Sequence, residues 1–564
     1  MKHPSLHKRT STAAGHSAAA HAPRFSRRWF ASLAGLALAA TFSGCGSPDL
    51  SQYNTQFKNS DYAAATETAT KSSGVGDKPA EFAKPANLQW QLNRGNAAFL
   101  AGTNATDPAD AAKYLDTAQS DFEAADKAWR ILDNEQFADV AKYIAAILVN
   151  DNQLSYAAKI FERFQIANYI TLLDIQKGNF SKDYFLITEE VIQLAQARFK
   201  NEDKLKAEVA KKTPGLSFPS ISYTHEQSAA ANDSAFAGNS VLINPFSSYI
   251  AGLSALLGAQ SKSGADLKGA YDTAQTRFRE AFALYKGNRQ AWRDWEKAKK
   301  GEPVQNHVWI IVENGVAPEL KEIKITIPAV PFPVEKSDFG ALKNLVSLLF
   351  NEIPKSIAKG GGTPANITNT LARAAQVPLV TIALAFPKIV PQNAKLENGK
   401  WTGEPTYLTV GADGKFYATE VIADFDSMAQ LEYNKTFPAV VTREVIRVLV
   451  RTAAQVVAQK AAGAAAEKKG GAFGGAAASL GAAAVGGAAA DALAKADTRQ
   501  WASLPKNIQI LSLPIPADRK ITIGGLTGRS TPVEIPADAK NAVIYFRVPT
   551  TVEKAGTPKV FPIK

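Results

Sequence analysis

The sequence is nearly devoid of cysteine: its 564 residues include one, Cys45. A single thiol excludes an intramolecular disulfide and a cysteine-based zinc site. Histidine is almost as scarce, because four of the six histidines fall within the first 21 residues and only His225 and His307 follow. A histidine-rich metal site is therefore excluded, and a Ser-His-Asp triad would need one of two histidines that lie in no recognisable catalytic context. We predict no metal site and no catalytic residue.

Clustered positive charge and a phosphate loop are also missing. The net charge of +12 includes six basic residues of the leader, so the chain from Cys45 onward carries about +6. Without Lys and Arg clustered on one face, we expect no nucleic-acid partner. The Gly360-Gly361-Gly362 run lacks the strand–loop–helix context of a phosphate-binding loop, and we interpret it as a linker. No cofactor is predicted.

Long apolar runs are lacking as well. Residues 29–42 are uncharged, but fourteen residues are too short to cross a hydrocarbon core of about 30 Å. Residues 470–490 are uncharged too, yet they are mostly Ala and Gly, with small residues spaced as in close-packed membrane helices. This composition favours a connector over a membrane-inserting segment, although contact of residues 470–490 with membrane stays open.

The amino-terminal 45 residues have the order of an export signal. Six basic residues and no acidic residue lie in residues 1–28, the short apolar run follows, and Phe42-Ser43-Gly44-Cys45 resembles a bacterial lipobox. We predict a signal peptide over 1–44 and acylation of Cys45, with cleavage of an ordinary secreted protein near Ala39 as the alternative. Arg27-Arg28 also resembles a twin-arginine motif, so the export route stays open. Because Gly46 rather than Asp follows the cysteine, we expect the periplasmic face of the outer membrane.

The rest of the chain divides by composition and period. We predict a lipid-attached tether over 45–85, helices over 86–300, a β-rich domain over 301–437 that is completed by 501–564, and a helical, Gly/Ala-rich insertion over 438–500. The fold class predicted is α+β multidomain, with an all-α repeat array preceding the β-rich domain.

An internal repetition identifies the helical part as similar to tetratricopeptide repeats. Two copies of a small–x3–Phe–x2–small pattern are each preceded by a glycine 22 or 23 residues upstream. In such repeats the small residues let two antiparallel helices approach closely, and the array presents a concave surface that binds a peptide or a protein. The signature residues are Gly95, Ala118, Phe122 and Ala125 in the first copy and Gly252, Ala274, Phe278 and Ala281 in the second.

Three further groups could support interaction or chemistry. Arg443, Arg447 and Arg451 form one stripe of a predicted helix, which suits anionic lipid or an acidic partner, or else a solvated face. Asp424, Asp426 and Glu313 are carboxylates that could serve acid–base chemistry, but Asp426 more closely fits a helix N-cap. Asp497, Arg499 and Trp501 are expected to brace a structural loop.

Several of these segments together resemble an uncharacterised family of bacterial envelope lipoproteins. The resemblance implies a lipobox, a repeat-bearing helical half and a β-rich carboxyl-terminal half, and it implies location rather than any activity. The segments are Asn244-Pro245-Phe246 with Tyr249 and Gly252-Leu253, the run 308–315, Arg443 with Arg447, and Ala496-Asp497-Thr498-Arg499 with Trp501 and Leu504-Pro505.

The function expected is therefore a lipid-anchored, non-enzymatic scaffold that binds another envelope protein through its helices. One alternative is a membrane-inserting or secretion-apparatus component that uses 438–495. The other is a cell-wall hydrolase that uses Asp424, Asp426 or Glu313.

Overall fold

The helices precede residue 301 in the part of the chain that the computed structural model describes, apart from short turns and a helical segment over 425–433. The described residues are 49–76, 78–138, 155–180, 244–285, 288–329, 380–390, 395–397, 400–402, 407–433, 495–524 and 530–564, with a few single residues between them. The helices are α1 Ser51–Lys58, α2 Tyr62–Ser72, α3 Pro79–Phe82, α4 Leu88–Asn104, α5 Pro108–Ala138, α6 Ile160–Gln176, α7 Pro245–Gly258, α8 Gly264–Leu284 and α9 Arg289–Lys300.

The last helix shows how local sequence fixes the ends of these elements. The side chain of Asn288 accepts a hydrogen bond from the Ala291 amide at 2.8 Å, and this satisfies one of the free amides of the first turn of α9. Gly301 follows the helix with φ of 65°, a left-handed conformation that glycine adopts without a steric penalty. The predicted change from helix to strand at about 301 is confirmed, since β1 begins at His307.

Thirteen strands follow in the described residues. They are β1 His307–Asn314, β2 Glu319–Ala329, β3 Val380–Val390, β4 Lys395–Glu397, β5 Lys400–Thr402, β6 Thr409–Ala412, β7 Lys415–Ala418, β8 Glu420–Asp424, β9 Asn507–Pro514, β10 Lys520–Gly524, β11 Ser530–Glu534, β12 Asn541–Val548 and β13 Lys559–Ile563. The expected hairpin is present: β6 and β7 pair antiparallel around Asp413-Gly414, both at positive φ as a two-residue turn requires.

Two sheets organise these strands. The larger has the order β13-β12-β1-β9-β8, in which β1 pairs with β12 in parallel and the other neighbours are antiparallel. The smaller has the order β11-β10-β6-β7, while β2-β3 and β4-β5 form separate two-stranded ladders. Strands β9, β12 and β13, from the end of the chain, thus complete the sheet that β1 and β8 begin.

The five-stranded sheet is the middle of three layers, because successive side chains of a strand point to opposite faces. Trp309 and Ile311 of β1 pack into the core formed with the helices. Val308, Ile310 and Val312 belong to a second core, shared with the four-stranded sheet. The helical and β-rich parts, predicted as separate domains, therefore share one core, and residues 45–564 are a single compact unit.

The predicted tether needs correction over residues 51–82. Tyr53 and Phe57 of α1, Tyr62 of α2 and Phe82 of α3 are buried in the helical core. The turn after α1 also binds the end of the chain, since Ser60 Oγ donates to the Lys554 carbonyl at 2.6 Å. The low count of large apolar residues is misleading here, because a few aromatic side chains bury much area and the small residues between them permit close packing.

Candidate functional site

The two copies of the repeat signature place the same contact in two helix pairs. A Cβ added to Gly95 of α4 would lie 3.1 Å from Phe122 Cε1 of α5, and one added to Gly252 of α7 would lie 3.0 Å from Phe278 Cδ1 of α8. Real Cβ atoms seldom approach so closely, so each phenylalanine occupies space that only glycine leaves. The four alanines of the signature are fully buried: Ala118, Ala125, Ala274 and Ala281.

Each of the two phenylalanines also contacts a buried tyrosine. Phe122 stacks on Tyr169 of α6, with ring centroids 5.0 Å apart and planes at 7°. Phe278 packs on Tyr249 of α7, with centroids 5.3 Å apart. Both tyrosine hydroxyls donate to a carboxylate of another element, to Glu313 at 2.8 Å and to Asp294 at 2.7 Å. The helix pairs are therefore connected to neighbouring elements by one recurring combination of groups.

Glu313 lies at the centre of a buried polar group between α6 and the five-stranded sheet. Its carboxylate accepts from Gln165 Nε2 at 3.0 Å, from the Tyr169 hydroxyl and from the Tyr545 hydroxyl at 2.6 Å, and Arg547 Nε lies 3.8 Å away. Burial raises the pKa of Glu313, and the Arg547 charge and these donors oppose that rise. Because its exposed fraction is 0 %, a cell-wall polymer has no access to this carboxylate. The arrangement is that of a structural acid.

The other predicted acids, Asp424 and Asp426, lie where β8 leads into the helical segment 425–433. Asp424 Oδ1 accepts from the Asp426 amide at 3.1 Å, and its Oδ2 accepts from Ser427 Oγ at 2.7 Å. The acid that caps this helix is thus Asp424, two residues before the one predicted. Asp426 instead has Lys506 Nζ 3.7 Å from its carboxylate.

The predicted loop of Asp497, Arg499 and Trp501 lies against the start of α6. Arg499 Nε and Nη2 bind the Asp497 carboxylate at 2.8 and 3.0 Å. Burial alone would raise the pKa of Asp497, but the Arg499 charge and hydrogen bonds outweigh it and hold that pKa at about 2. The Trp501 amide donates to Glu162 of α6 at 2.7 Å. The loop thereby binds the helical layer.

A second polar group, which the sequence pattern does not predict, lies between α9 and the sheet. Lys297 Nζ donates to Asp294 at 2.8 Å and to Ser512 Oγ at 2.5 Å, and it lies 2.8 Å from His307 Nε2. A serine beside a lysine occurs in some hydrolases, but there the lysine must offer a lone pair as the base. Lys297 Nζ lies within hydrogen-bond distance of Asp294, Ser512 and His307, an arrangement that suits attachment of α9 to the sheet. Burial, and then the Lys297 charge, lower the pKa of His307 to about 4.

Exposed aromatic side chains are the second feature that sequence reasoning missed. Trp292 of α9 is 42 % exposed, and Phe416 of β7 is 81 % exposed. The spacing Trp292-x2-Trp295, flanked by basic residues, was a visible signal. A search for a hydrophobic face does not find this signal, because the buried positions of α9 are small or polar: Gln290, Ala291, Asp294 and Ala298.

Several predicted features lie outside the described residues: Cys45, the stripe Arg443, Arg447 and Arg451, and the run 470–490. Within the described ranges, the helices are all too short or too polar to cross a membrane. The same ranges contain no group of three or more His, Cys, Asp or Glu side chains placed to hold a metal ion. Compared with protein-family models, with curated proteins and with solved structures, the chain matches none of them.

Proposed function

We propose that the protein is a lipid-anchored scaffold of the cell envelope that binds another envelope protein through paired, tetratricopeptide-like helices. The observation that carries this proposal is the glycine–phenylalanine contact that recurs in two helix pairs, Gly95 with Phe122 and Gly252 with Phe278. Repeated close contact between consecutive helices is how helical arrays hold a rigid binding surface. Acylated Cys45 would retain this surface at the periplasmic face of the outer membrane.

The attachment of the helices to the sheet supports a positioning role. Buried side chains of all nine described helices, α1 to α9, belong to the same core as Trp309, Ile508 and Tyr545 of the sheet. A surface held on such a core does not have to be ordered when a partner binds, and this lowers the entropic cost of association. The β-rich layer would act as the support of the helices or as a second binding surface.

The shared core decides how the proposal is tested. Deleting residues 86–300 would remove most of that core and would unfold the sheet, so loss of a partner would be uninformative. A photo-crosslinking amino acid placed at single exposed positions in cells avoids this. Suitable helix positions are Glu123 and Lys127 of α5 and Asp272 and Thr276 of α8; matched sheet positions are Phe416, Asp518 and Lys520.

We expect one discrete adduct, identified by mass spectrometry, from helix positions and none from sheet positions. Adducts from the sheet positions alone, or none from any position, would reject the helical docking surface. The anchor is tested separately with Cys45→Ala, which should move the protein from the membrane fraction to the soluble fraction and abolish palmitate labelling. Unchanged membrane association of that variant would reject the lipid anchor.

A further inference from the structure

Three aromatic side chains form a ridge where α8 and α9 pack together. Trp292 lies between Phe282 and Trp295, with ring centroids 5.2 and 4.4 Å away. Trp292 is 42 % exposed, and the other two rings are partly buried. By contrast, the tryptophans at positions 129, 309 and 501 are fully buried. We call Phe282, Trp292 and Trp295 the aromatic ridge.

Positive charge surrounds the aromatic ridge. Helix α9 contains five basic and two acidic residues, and one of the acids, Asp294, is buried against the sheet. Lys299 Nζ lies 5.1 Å from the Trp295 ring centroid, in cation–π range. The exposed basic residues around the ridge are Arg279, Arg289, Arg293, Lys299 and Lys300. An occupant of this surface must therefore combine negative charge with an apolar group.

Glu420 of β8, the acid whose carboxylate faces Arg293, does not cancel this charge. Glu420 of β8 accepts from the Arg289 and Gln290 amides at 2.6 and 3.0 Å, so it caps the first turn of α9. Its other oxygen lies 3.6 Å from Arg293 Nη1, a long separation for an ion pair, and the Arg293 side chain stays 55 % exposed. Binding of an external carboxylate to Arg293 would not have to displace an internal one.

The position of α9 indicates which acidic partner fits. Arg547 lies beside Glu313, near the carboxyl end of β1, and its guanidinium lies over Phe57 of α1. Lys297 of α9 contacts His307, at the amino end of the same strand. Those two ends of the strand are separated by roughly 25 Å. On the proposed function, a lipid at Cys45 would hold α1 near the bilayer, because the six-residue step from Cys45 to Ser51 spans at most about 20 Å. The end of α9 that contains Lys297 would then lie toward the end of the sheet away from the lipid.

We propose that the aromatic ridge docks an acidic segment of the partner protein, with an apolar side chain of that segment packed on Trp292 and Trp295. Its carboxylates bind Arg289, Arg293, Lys299 and Lys300. The proposal rests on the scaffold function and specifies the face and the chemistry by which that function is carried out. Tryptophan and arginine together are the residues that most often dominate the energy of protein interfaces.

The direct test uses the purified full chain in detergent and a fluorescein-labelled dodecapeptide of Glu, Asp, Leu and Phe. Its reference is the same peptide with Gln and Asn in place of the acids. We expect the acidic peptide alone to raise the anisotropy, with an affinity that falls as salt is added. Trp292→Ala and the neutralised variant Arg289→Gln/Lys299→Gln/Lys300→Gln should each weaken binding at least tenfold.

Matched controls distinguish binding at the aromatic ridge from nonspecific binding by other exposed aromatic or basic side chains. Phe416→Ala removes a more exposed aromatic residue, and Lys415→Gln/Lys520→Gln neutralises exposed lysines of the four-stranded sheet; both should bind like the wild type. Circular dichroism and thermal unfolding show that each variant is folded. Equal affinity of folded ridge variants and controls would overturn the proposal, and so would binding of phosphatidylglycerol vesicles without binding of the acidic peptide.

The in-cell crosslink distinguishes this proposal from the scaffold function. Loss of the adduct in Trp292→Ala supports both the scaffold function and the aromatic ridge as its docking face. An adduct that persists in every folded ridge variant leaves the scaffold intact and overturns the ridge as its docking face. Ridge-dependent binding of the peptide without any partner adduct in cells supports the chemistry of the ridge and rejects the scaffold function.

Discussion

Tyr169 of α6 and Glu313 of β1 are 144 residues apart in sequence, and the tyrosine hydroxyl donates to the glutamate Oε2 at 2.8 Å. Tyr545 donates to the same oxygen from the neighbouring strand at 2.6 Å. The Tyr169 ring is stacked on Phe122, which fills the space beside Gly95. The Tyr169 side chain thus couples the first helix pair, α4 and α5, to the five-stranded sheet.

This coupling predicts a large effect of changes at Glu313. Glu313→Ala leaves Gln165 and two tyrosine hydroxyls without their acceptor, and Arg547 without its counter-charge, inside the core. We therefore expect a loss of about 3–5 kcal/mol of stability. Tyr169→Phe should cost about 1–3 kcal/mol, and the two effects should be non-additive by roughly 1 kcal/mol or more. Urea unfolding of both single variants and the double variant measures the coupling.

Exposed Glu67 gives the control for that cycle. It forms an ion pair with Lys71 on the surface of α2, where 65 % of the Glu67 side chain is exposed. Glu67→Ala should leave the urea midpoint close to that of the wild type. Additive effects of Tyr169→Phe and Glu313→Ala would mean that the two groups do not act together.

Glycine substitutions test the repeated helix contact. Gly95→Ala and Gly252→Ala each add a methyl group at about 3 Å from a fully buried phenylalanine ring. Overpacking of this kind costs about 1–3 kcal/mol, which should exceed the roughly 1 kcal/mol that alanine gains over glycine within a helix. Thermal unfolding should therefore show a lower midpoint for both variants.

Gly269→Ala supplies the matched control in the same fold. Gly269 lies within α8 and an added Cβ there meets nothing within 4 Å. This variant should gain up to about 1 kcal/mol from helix propensity alone. Stabilisation by all three substitutions would show that the two phenylalanine rings move aside at little cost and that close approach of the paired helices is not required.

The glycine contacts were visible in the sequence for a physical reason. The two helices of each pair are consecutive, so the spacing of Gly95, Ala118, Phe122 and Ala125 reports a local contact directly. The strands at 507–514 and 541–548 were predictable from short apolar runs rich in β-branched residues, which are typical of strands buried on both faces, as these two are.

The features that the sequence pattern does not predict depend on contacts between distant elements. Glu313 lies in an apolar strand, where the sequence does not distinguish a structural acid from a catalytic one. Its partners Tyr169, Tyr545 and Arg547 are brought together only by the fold. The packing of α1 was hidden because its two buried side chains contact distant residues: the Tyr53 hydroxyl donates to the Asn93 carbonyl, and the Arg547 guanidinium lies over the Phe57 ring. In both cases the deciding interaction has no local pattern.

Two acids from the β-rich part cap helices of the other part, and this arrangement is also testable. The carboxylate of Glu432 accepts from the Ile160 amide at 2.9 and 2.8 Å, at the first turn of α6. Glu432→Ala removes a buried cap, so we expect a loss of about 1–2 kcal/mol. Glu420→Ala, at the partly exposed start of α9, should cost about half as much. Equal urea midpoints for wild type and Glu432→Ala would show that the cap is dispensable.

His307 predicts a pH dependence whose sign follows from its environment. Burial and the nearby Lys297 charge lower its pKa from 6.5 to about 4, so the folded protein keeps this imidazole neutral. Between pH 6.5 and pH 4 the unfolded chain therefore binds a proton that the folded chain does not. Stability must fall as the pH decreases through that interval, by at most about 3 kcal/mol at 1.36 kcal/mol for each pKa unit. Urea midpoints at pH 7 and pH 4.5 measure the loss.

His307→Gln removes the titrating group, and its urea midpoint should fall less between pH 7 and pH 4.5 than that of the wild type. His225→Gln is the matched control, since His225 is the other histidine beyond the leader. If the two variants and the wild type lose equal stability on acidification, the His307 imidazole is not held neutral against α9. A smaller loss in His307→Gln alone would show that Lys297 and the covering helix exclude the proton, because protonation would place two positive charges within 2.8 Å.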